Sequence, residues 1–250
     1  MEWVSSKMRQ ILGDGTEIVV PNDASENALL PWVRDVDVAV GRLTDKLVKE
    51  ARNLRLIQVL STGVDTYAVD LSLLKSKGIL LATASGGNAT AVAEHALALM
   101  FALAKKVVLR HQRLQNDEWD KGLSIQMRGK TLGIYGLGKI GEELARMAGC
   151  LGMKVVAIKR DPSREPSKTP CLEWVGSFAD LDRLLSESDF VAVCAASTSE
   201  TRGSLTLDRL RRMKKTAYLI VVSRGNIVDE EGLLQALNDG NIAGAALDVW

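Results

Sequence analysis

Gly136-Leu137-Gly138-Lys139-Ile140-Gly141 has the residue types and spacing to hold a phosphate group. A β-branched and aliphatic run, Thr131–Tyr135, precedes it, and a helical run from Lys139 follows. In that setting Gly136 permits a tight turn, Gly138 lets the backbone approach a pyrophosphate, and Gly141 lets the helix pack closely on the strand. The N–H groups that open the helix, those of Lys139 and Ile140 among them, face the ligand with the helix dipole behind them. A glycine-rich connection with no ligand is the competing account, and the order of strand, turn and helix weighs against it. The next strand, Lys154–Lys159, leads to Lys159 and Arg160 at its end. Two cations there suit the 2′-phosphate of NADP, whereas a carboxylate would suit the ribose hydroxyls of NAD. A solvated strand end is the plain alternative. Arg224 is the third feature: the run Ala217–Val222 delivers it to the strand's carboxyl end, where open α/β sheets place ligands. Its planar, permanently charged fork suits a carboxylate, although a structural salt bridge would use the same residue type.

These groups need a scaffold, and the chain alternates short β-like runs with helical ones. Strands are expected at Glu17–Val20, Val36–Val40, Leu56–Leu60 and Ile79–Ala82, with helices at Val4–Leu12, Thr44–Ala51 and Leu71–Lys77. Such alternation indicates parallel strands with helical crossovers. Gly86-Gly87-Asn88 leads into a long helix predicted from Thr90 to about Gln115. Its first half is apolar nearly all round, which predicts cover on several sides. After a loop at Gly122–Gly129, a second unit offers strands at Thr131–Tyr135, Lys154–Lys159, Asp189–Ala195, Ala217–Val222 and Gly244–Val249. Helices at Lys139–Gly149, Phe178–Ser186, Thr206–Met213 and Glu230–Asn238 fill the gaps, and the whole describes an open, doubly wound sheet. The segment Asp161–Pro170 holds three of the five prolines and reads as a surface loop.

Composition narrows the function. Apolar residues make up 46% and charged residues 25%, with a formal net charge of +1 and no basic cluster, so nothing points to nucleic acid or an anionic membrane as a partner. The most apolar stretch, Ala96–Ala104, falls far short of the roughly 20 residues needed to span a bilayer. The N-terminal residues lack the apolar core of a signal peptide. Cys150, Cys171 and Cys194 show no metal-ligand spacing and no disulfide framework, which indicates a reducing, cytoplasmic compartment and no metal site.

The glycine turn, the segment Ser223-Arg224-Gly225-Asn226-Ile227-Val228-Asp229-Glu230-Glu231 and the final Gly244-Ala245-Ala246-Leu247-Asp248-Val249-Trp250 together resemble the D-isomer-specific 2-hydroxyacid dehydrogenase family. The resemblance runs from about Glu17 to Trp250. It implies a Rossmann-type doubly wound parallel sheet in residues 86–250, which include the linking helix. That domain is inserted into a flavodoxin-like α/β substrate domain, of which residues 1–85 are an incomplete part. It further implies hydride transfer between NADP (or NAD) and a 2-hydroxy or 2-oxo acid such as glyoxylate, hydroxypyruvate or 3-phosphoglycerate. A homodimer formed through the long helix is expected by the same analogy.

Residue by residue, the family's pattern makes Thr62, Gly63 and Val64 the backbone donors to the substrate carboxylate. Locally, a strand-to-helix turn capped by Asp65 is equally good. Thr90 and Val92 face the cofactor. Arg224 binds the substrate's carboxylate and carbonyl oxygen and stabilises a developing alkoxide. Ser223 lies beside the cofactor, and Asp248 meets the nicotinamide carboxamide. Two departures are visible: Val221 stands where relatives carry asparagine, and Cys194-Ala195-Ala196-Ser197 stands where they carry Pro-Leu-Thr. The latter leaves Ala195 and Ser197, or Thr198 in place of Ser197, as the candidate cofactor contacts. An alternative alignment would put Asp161-Pro162 where NAD-dependent relatives carry Asp-Pro. His95 reads as a packed interfacial histidine and His111 as an exposed one. The family's catalytic glutamate and histidine follow the position of Trp250, so the chain is expected to be truncated at its C-terminus. Relatives also begin with a strand before the helix at Val4–Leu12. Two further readings stay open: a non-catalytic NAD(P)-binding module or regulatory relative, and an inactive fragment.

Overall fold

The computed structural model describes residues 2–13, 15–63, 69–163 and 171–250. The chain divides into two compact units, Met1–Ser85 and Gly86–Trp250. In the first, strands β1 (Val38–Val40), β2 (Leu56–Val59) and β3 (Leu80–Thr83) form a parallel sheet in that order. Ile57, fully buried, pairs with Ala39 on one side and Leu81 on the other. The helices are α1 (Glu2–Leu12), α2 (Glu26–Val33), α3 (Asp45–Glu50) and α4 (Leu71–Lys77). Thr44 caps α3 by accepting from the Leu47 N–H, and Asp70 caps α4 by accepting from the Ser72 N–H. Gly78, at φ 68°, closes α4 in the left-handed conformation. The Lys77 ammonium then donates to the carbonyls of Val48, Lys49 and Ala51 at 2.8, 2.7 and 2.9 Å, tying the ends of α4 and α3 together.

Two expectations fail in this unit. Glu17–Val20 is not a strand: it pairs with no neighbour, and Val20 is exposed. Strand propensity without a partner leaves backbone groups to water. Conversely, α2 forms where no helix was expected, despite Pro31 in its interior. Leu29, Leu30 and Val33 pack into the unit's core, and that burial outweighs the hydrogen bond lost at the proline.

The second unit holds a six-stranded, all-parallel sheet, one strand more than expected. Its strands are β4 (Thr131–Tyr135), β5 (Lys154–Ile158), β6 (Leu172–Gly176), β7 (Phe190–Val193), β8 (Tyr218–Val221) and β9 (Gly244–Leu247), in the order β6-β5-β4-β7-β8-β9. The extra strand β6 pairs along the edge with β5. Helices α5 (Ala89–Ala104) and α7 (Lys139–Cys150) cover one face, and α8 (Leu181–Glu187), α9 (Leu207–Leu210) and α10 (Glu230–Asn238) cover the other. Along β8 the alternation is complete: Tyr218 and Ile220 enter the first layer, Leu219 and Val221 the second. The chain from Phe178 opens with a 3-10 turn, Phe178–Asp180, before α8.

The long helix is not continuous. It stops at Ala104 and restarts as α6 (Val107–Gln115), with Lys106 in the left-handed region at φ 54°. Arg110 donates to the Lys105 carbonyl at 3.1 Å, and the Lys105 ammonium donates to the Ile125 carbonyl at 2.7 Å, so side chains hold the break. Nor is the first half covered all round. Ala89, Ala93, Ala96, Met100 and Ala104 form one buried stripe against the sheet and α7, whereas Leu97, Leu99, Phe101 and Leu103 are only half-buried.

Helix α7 sits equally close to β4. A Cβ on Gly141 would lie 2.5 Å from the Gly136 carbonyl oxygen and 2.9 Å from Ile134 Cγ2. Gly141→Ala is therefore expected to lower stability by about 1–3 kcal/mol through overpacking. Urea unfolding should show a lower midpoint at an unchanged m-value.

Candidate functional site

Parallel pairing fixes where the candidate residues of the second unit emerge. Tyr135 pairs with Ile158 and with Val193, Val193 with Val221, and Val221 with Leu247. The residues that follow, Lys159, Gly136, Cys194, Val222 and Asp248, therefore form one row along the carboxyl edge, each about 4.8 Å from the next. Arg224 lies two residues past Val222, and β8 stands two strand spacings, about 10 Å, from β4. The strand order reverses between β4 and β7, which makes this edge the crevice of a doubly wound sheet.

At the crevice's centre, Gly136 has φ 105°, and a Cβ there would collide with the backbone of Ala195 and Cys194. Ala195 is thus a close neighbour of the turn. Gly136 and Leu137 donate to the Ile158 carbonyl at 3.1 and 3.0 Å, which pins the turn to β5. Gly138, the N-cap of α7, is different: a Cβ there would meet nothing within 4 Å. The open space lies in front of the first helical turn, whose N–H groups have no acceptor within the helix. That cradle, the amino end of the helix, offers N–H donors and the positive end of its dipole to an anionic group. The stem of Lys139 runs over Gly86, so the segment opening α5, with exposed Thr90 in its first turn, lies beside the glycine turn.

At the end of β5 the Lys159 N–H still bonds to the Gly176 carbonyl at 2.9 Å, and Arg160 is exposed. The Asp161 carboxylate accepts from the backbone N–H and hydroxyl of Ser163 at 3.1 and 2.6 Å, an Asx-type turn that occupies it locally. Beyond β7, Thr201 Oγ1 donates to the Ala196 carbonyl at 2.7 Å and accepts from the Thr198 N–H at 2.8 Å. Ser197 accepts from Arg202 Nε at 3.3 Å, so this loop is self-bonded without the relatives' proline.

At the end of β8 the Ser223 hydroxyl is buried and has no hydrogen-bond partner among the described residues. A buried donor without a partner costs stability. Arg224 is half-buried in extended backbone at φ −144°, and its Nη1 donates to the Ser223 carbonyl at 2.7 Å. Gly225 lets the Trp250 backbone pass: a Cβ would lie 2.5 Å from its Cα.

Two titratable groups beside the row are shifted toward their neutral forms. Burial pushes the Cys194 thiol up to about 12, and burial likewise raises Tyr135, whose hydroxyl shares a 2.9 Å hydrogen bond with Ser204. Among the described residues no cluster could hold a metal ion.

His95 makes its described contact within the second unit. It is exposed on α5, with Nε2 3.2 Å from Asp248 Oδ1. The sequence reading missed this pair because the two residues are adjacent only through the docking of α5 on β9. His111 is exposed as expected. In the first unit, Thr62 and Gly63 follow β2 at its carboxyl end; Ser61 Oγ donates to the Gly63 carbonyl at 2.9 Å. Val64 and Asp65 lie outside the described residues.

Comparison with known proteins agrees with this geometry. Residues 97–250 match the family model described as D-isomer specific 2-hydroxyacid dehydrogenase, NAD binding domain. The chain is 37% identical over 238 residues to the glyoxylate reductase of Thermofilum pendens, covering 90% of this chain and 68% of that one. It is 34% identical over 244 residues to the D-3-phosphoglycerate dehydrogenase of Archaeoglobus fulgidus, covering 95% of this chain but only 45% of that longer protein. Its fold superposes on an acyclic imino acid reductase solved in complex with NADPH and D-Arg, with a TM-score of 0.81 and 27% identity, covering 99% of this chain and 78% of that one. Turn, row and relatives agree: the chain belongs to the D-isomer-specific 2-hydroxyacid dehydrogenase family.

Proposed function

We propose that this protein transfers a hydride between a nicotinamide dinucleotide and a 2-hydroxy or 2-oxo acid. Residues 86–250 hold the dinucleotide, and residues 1–85 contribute to the substrate side. The observation that carries the reading is the shared edge of the second sheet, where the open space at Gly138 and the guanidinium of Arg224 lie about two strands apart. When bound, the nicotinamide supplies the hydride. The chain's own groups bind and orient. The N–H groups opening α7, with Lys139 and Ile140, take the pyrophosphate; Gly136 and Gly141 keep the turn against β7 and β4. Thr90, Ala195, Ser197, Ser223 and Asp248 line the path toward the nicotinamide. The fork of Arg224 holds the acid's carboxylate and stabilises negative charge on its carbonyl oxygen. By the family's pattern, Thr62, Gly63 and Val64 are the candidate donors to a substrate carboxylate.

NADP is favoured over NAD, because β5 presents Lys159 and Arg160 while Asp161 is engaged with Ser163. A carboxylate aimed at the ribose would be needed for the opposite preference. A homodimer is supported by the apolar surface that α6 and its following loop leave exposed: Val107, Val108, Leu114, Trp119 and Leu123. The three unpaired cysteines support a reducing, cytoplasmic setting. Among the described residues no helix is long and apolar enough to cross a membrane.

Cofactor titration followed by nicotinamide fluorescence tests the reading. NADPH should bind more tightly than NADH, and exchanging Lys159 and Arg160 for alanine together should weaken NADPH at least about tenfold while sparing NADH. The reverse preference would overturn the assignment to NADP. Gly138→Ala should leave the urea midpoint unchanged yet weaken both cofactors, since its methyl enters only the cradle. Oxamate, a stable 2-oxo acid mimic, should bind the cofactor complex, and Arg224→Gln should weaken it by roughly two orders of magnitude without changing cofactor affinity. Cofactor binding with no effect of oxamate would instead identify a dinucleotide-binding module. Trp119→Asp should shift the sedimenting species from dimer to monomer.

A further inference from the structure

Helix α5 docks along β9 in the opposite direction. Leu103 lies against the start of the strand, 3.8 Å from where a Cβ on Gly244 would sit, and His95 meets Asp248 just past its end. Eight helical residues rise about 12 Å and four strand residues about 13 Å, so the two elements stay in step from one contact to the other. The backbone N–H of Asp248 donates to the Val221 carbonyl at 2.9 Å, which fixes the main chain and leaves the carboxylate to turn. His95 Nε2 stands 3.2 Å from Oδ1, and no other described side chain bonds to that carboxylate. Both side chains are about half exposed, at 48% and 45%, so the contact adds little to stability. What it does is select one orientation of a carboxylate on the edge row.

We propose that His95 is a positioning residue for the nicotinamide end of the site. This rests on the reading that Asp248 accepts a hydrogen bond from the carboxamide NH2. The histidine occupies Oδ1 and thereby directs Oδ2 to the carboxamide, so one oxygen serves the protein and the other the ligand. The amide's donor is recognised by a carboxylate whose rotamer is set in advance, and the ordering cost is met before the cofactor arrives.

The test compares binding of NADPH with that of its 3-acetylpyridine analogue, whose methyl ketone lacks the NH2 donor. His95→Ala should weaken NADPH roughly three- to tenfold, the weight of one hydrogen bond, and leave the analogue unchanged. His95→Gln, which retains an N–H donor near the Nε2 position, should restore the discrimination. Equal weakening of both ligands, or a fall in the urea midpoint of His95→Ala, would mean a structural role and overturn the proposal. Asp248→Ala separates the two layers of the reading. If that variant still discriminates between the ligands, the carboxamide contact falls and the proposal with it. If Asp248→Ala loses discrimination while His95→Ala keeps it, only the role of His95 falls.

Discussion

Between β4 and β7 the chain passes so close to itself that no side chain fits: the backbone of Ala195 and Cys194 occupies the space a Cβ on Gly136 would need. That contact lets two parallel strands run side by side to their ends and still send their continuations apart. After Tyr135 the chain turns into α7 on one face, and after Val193 it continues toward α8's side of the sheet, where Leu205 is buried with Leu181 and Leu184. The crevice is what remains between the two departures. Were the strands forced apart there, the row from Lys159 to Asp248 would lose its common level, and the distances from the turn to Arg224 with it.

The electrostatics of the row follow from the same geometry. Its cationic features gather on one edge: Lys159, Arg160 and Arg224 follow the carboxyl ends of parallel strands, and α7, which runs back the other way, presents its amino end there. Its carboxylates are engaged: Asp161 by Ser163 and Asp248 by His95. The sulfur nearest the centre, Cys194, stays a neutral thiol because it is buried. The positive charge of the edge is thus less offset by its own carboxylates than their number suggests.

Local pattern made much of this legible. Thr131–Tyr135, Leu71–Lys77 and Glu230–Asn238 fold with the bounds their pattern suggests, because the strand is a short apolar run buried on both sides, the helices each bury one face, and all three have a clear stop. What escaped was set by partners distant in sequence. Glu17–Val20 has strand composition and no strand to join, whereas Leu172–Gly176, hidden behind a proline-rich segment, finds one in β5. The break after Ala104 depends on Arg110 and on a carbonyl at Ile125, neither visible in the helix's own periodicity. Among site residues, the glycine turn could be read because each glycine answers a separate steric demand. His95 could not, since an exposed histidine on an apolar helix gives no sign of an aspartate contributed by another element.

The turn after β5 has a consequence for how such a protein selects its dinucleotide. Its backbone is held by the Lys159 N–H on the Gly176 carbonyl and by Asp161 on Ser163, and neither bond involves the side chains of residues 159 and 160. The main-chain path out of β5 is therefore held by a backbone bond to the edge strand and by the Asp161 carboxylate. On the proposed reading of Lys159 and Arg160, the side chains that would tell one dinucleotide from another stand on a turn whose main chain is pinned by other bonds.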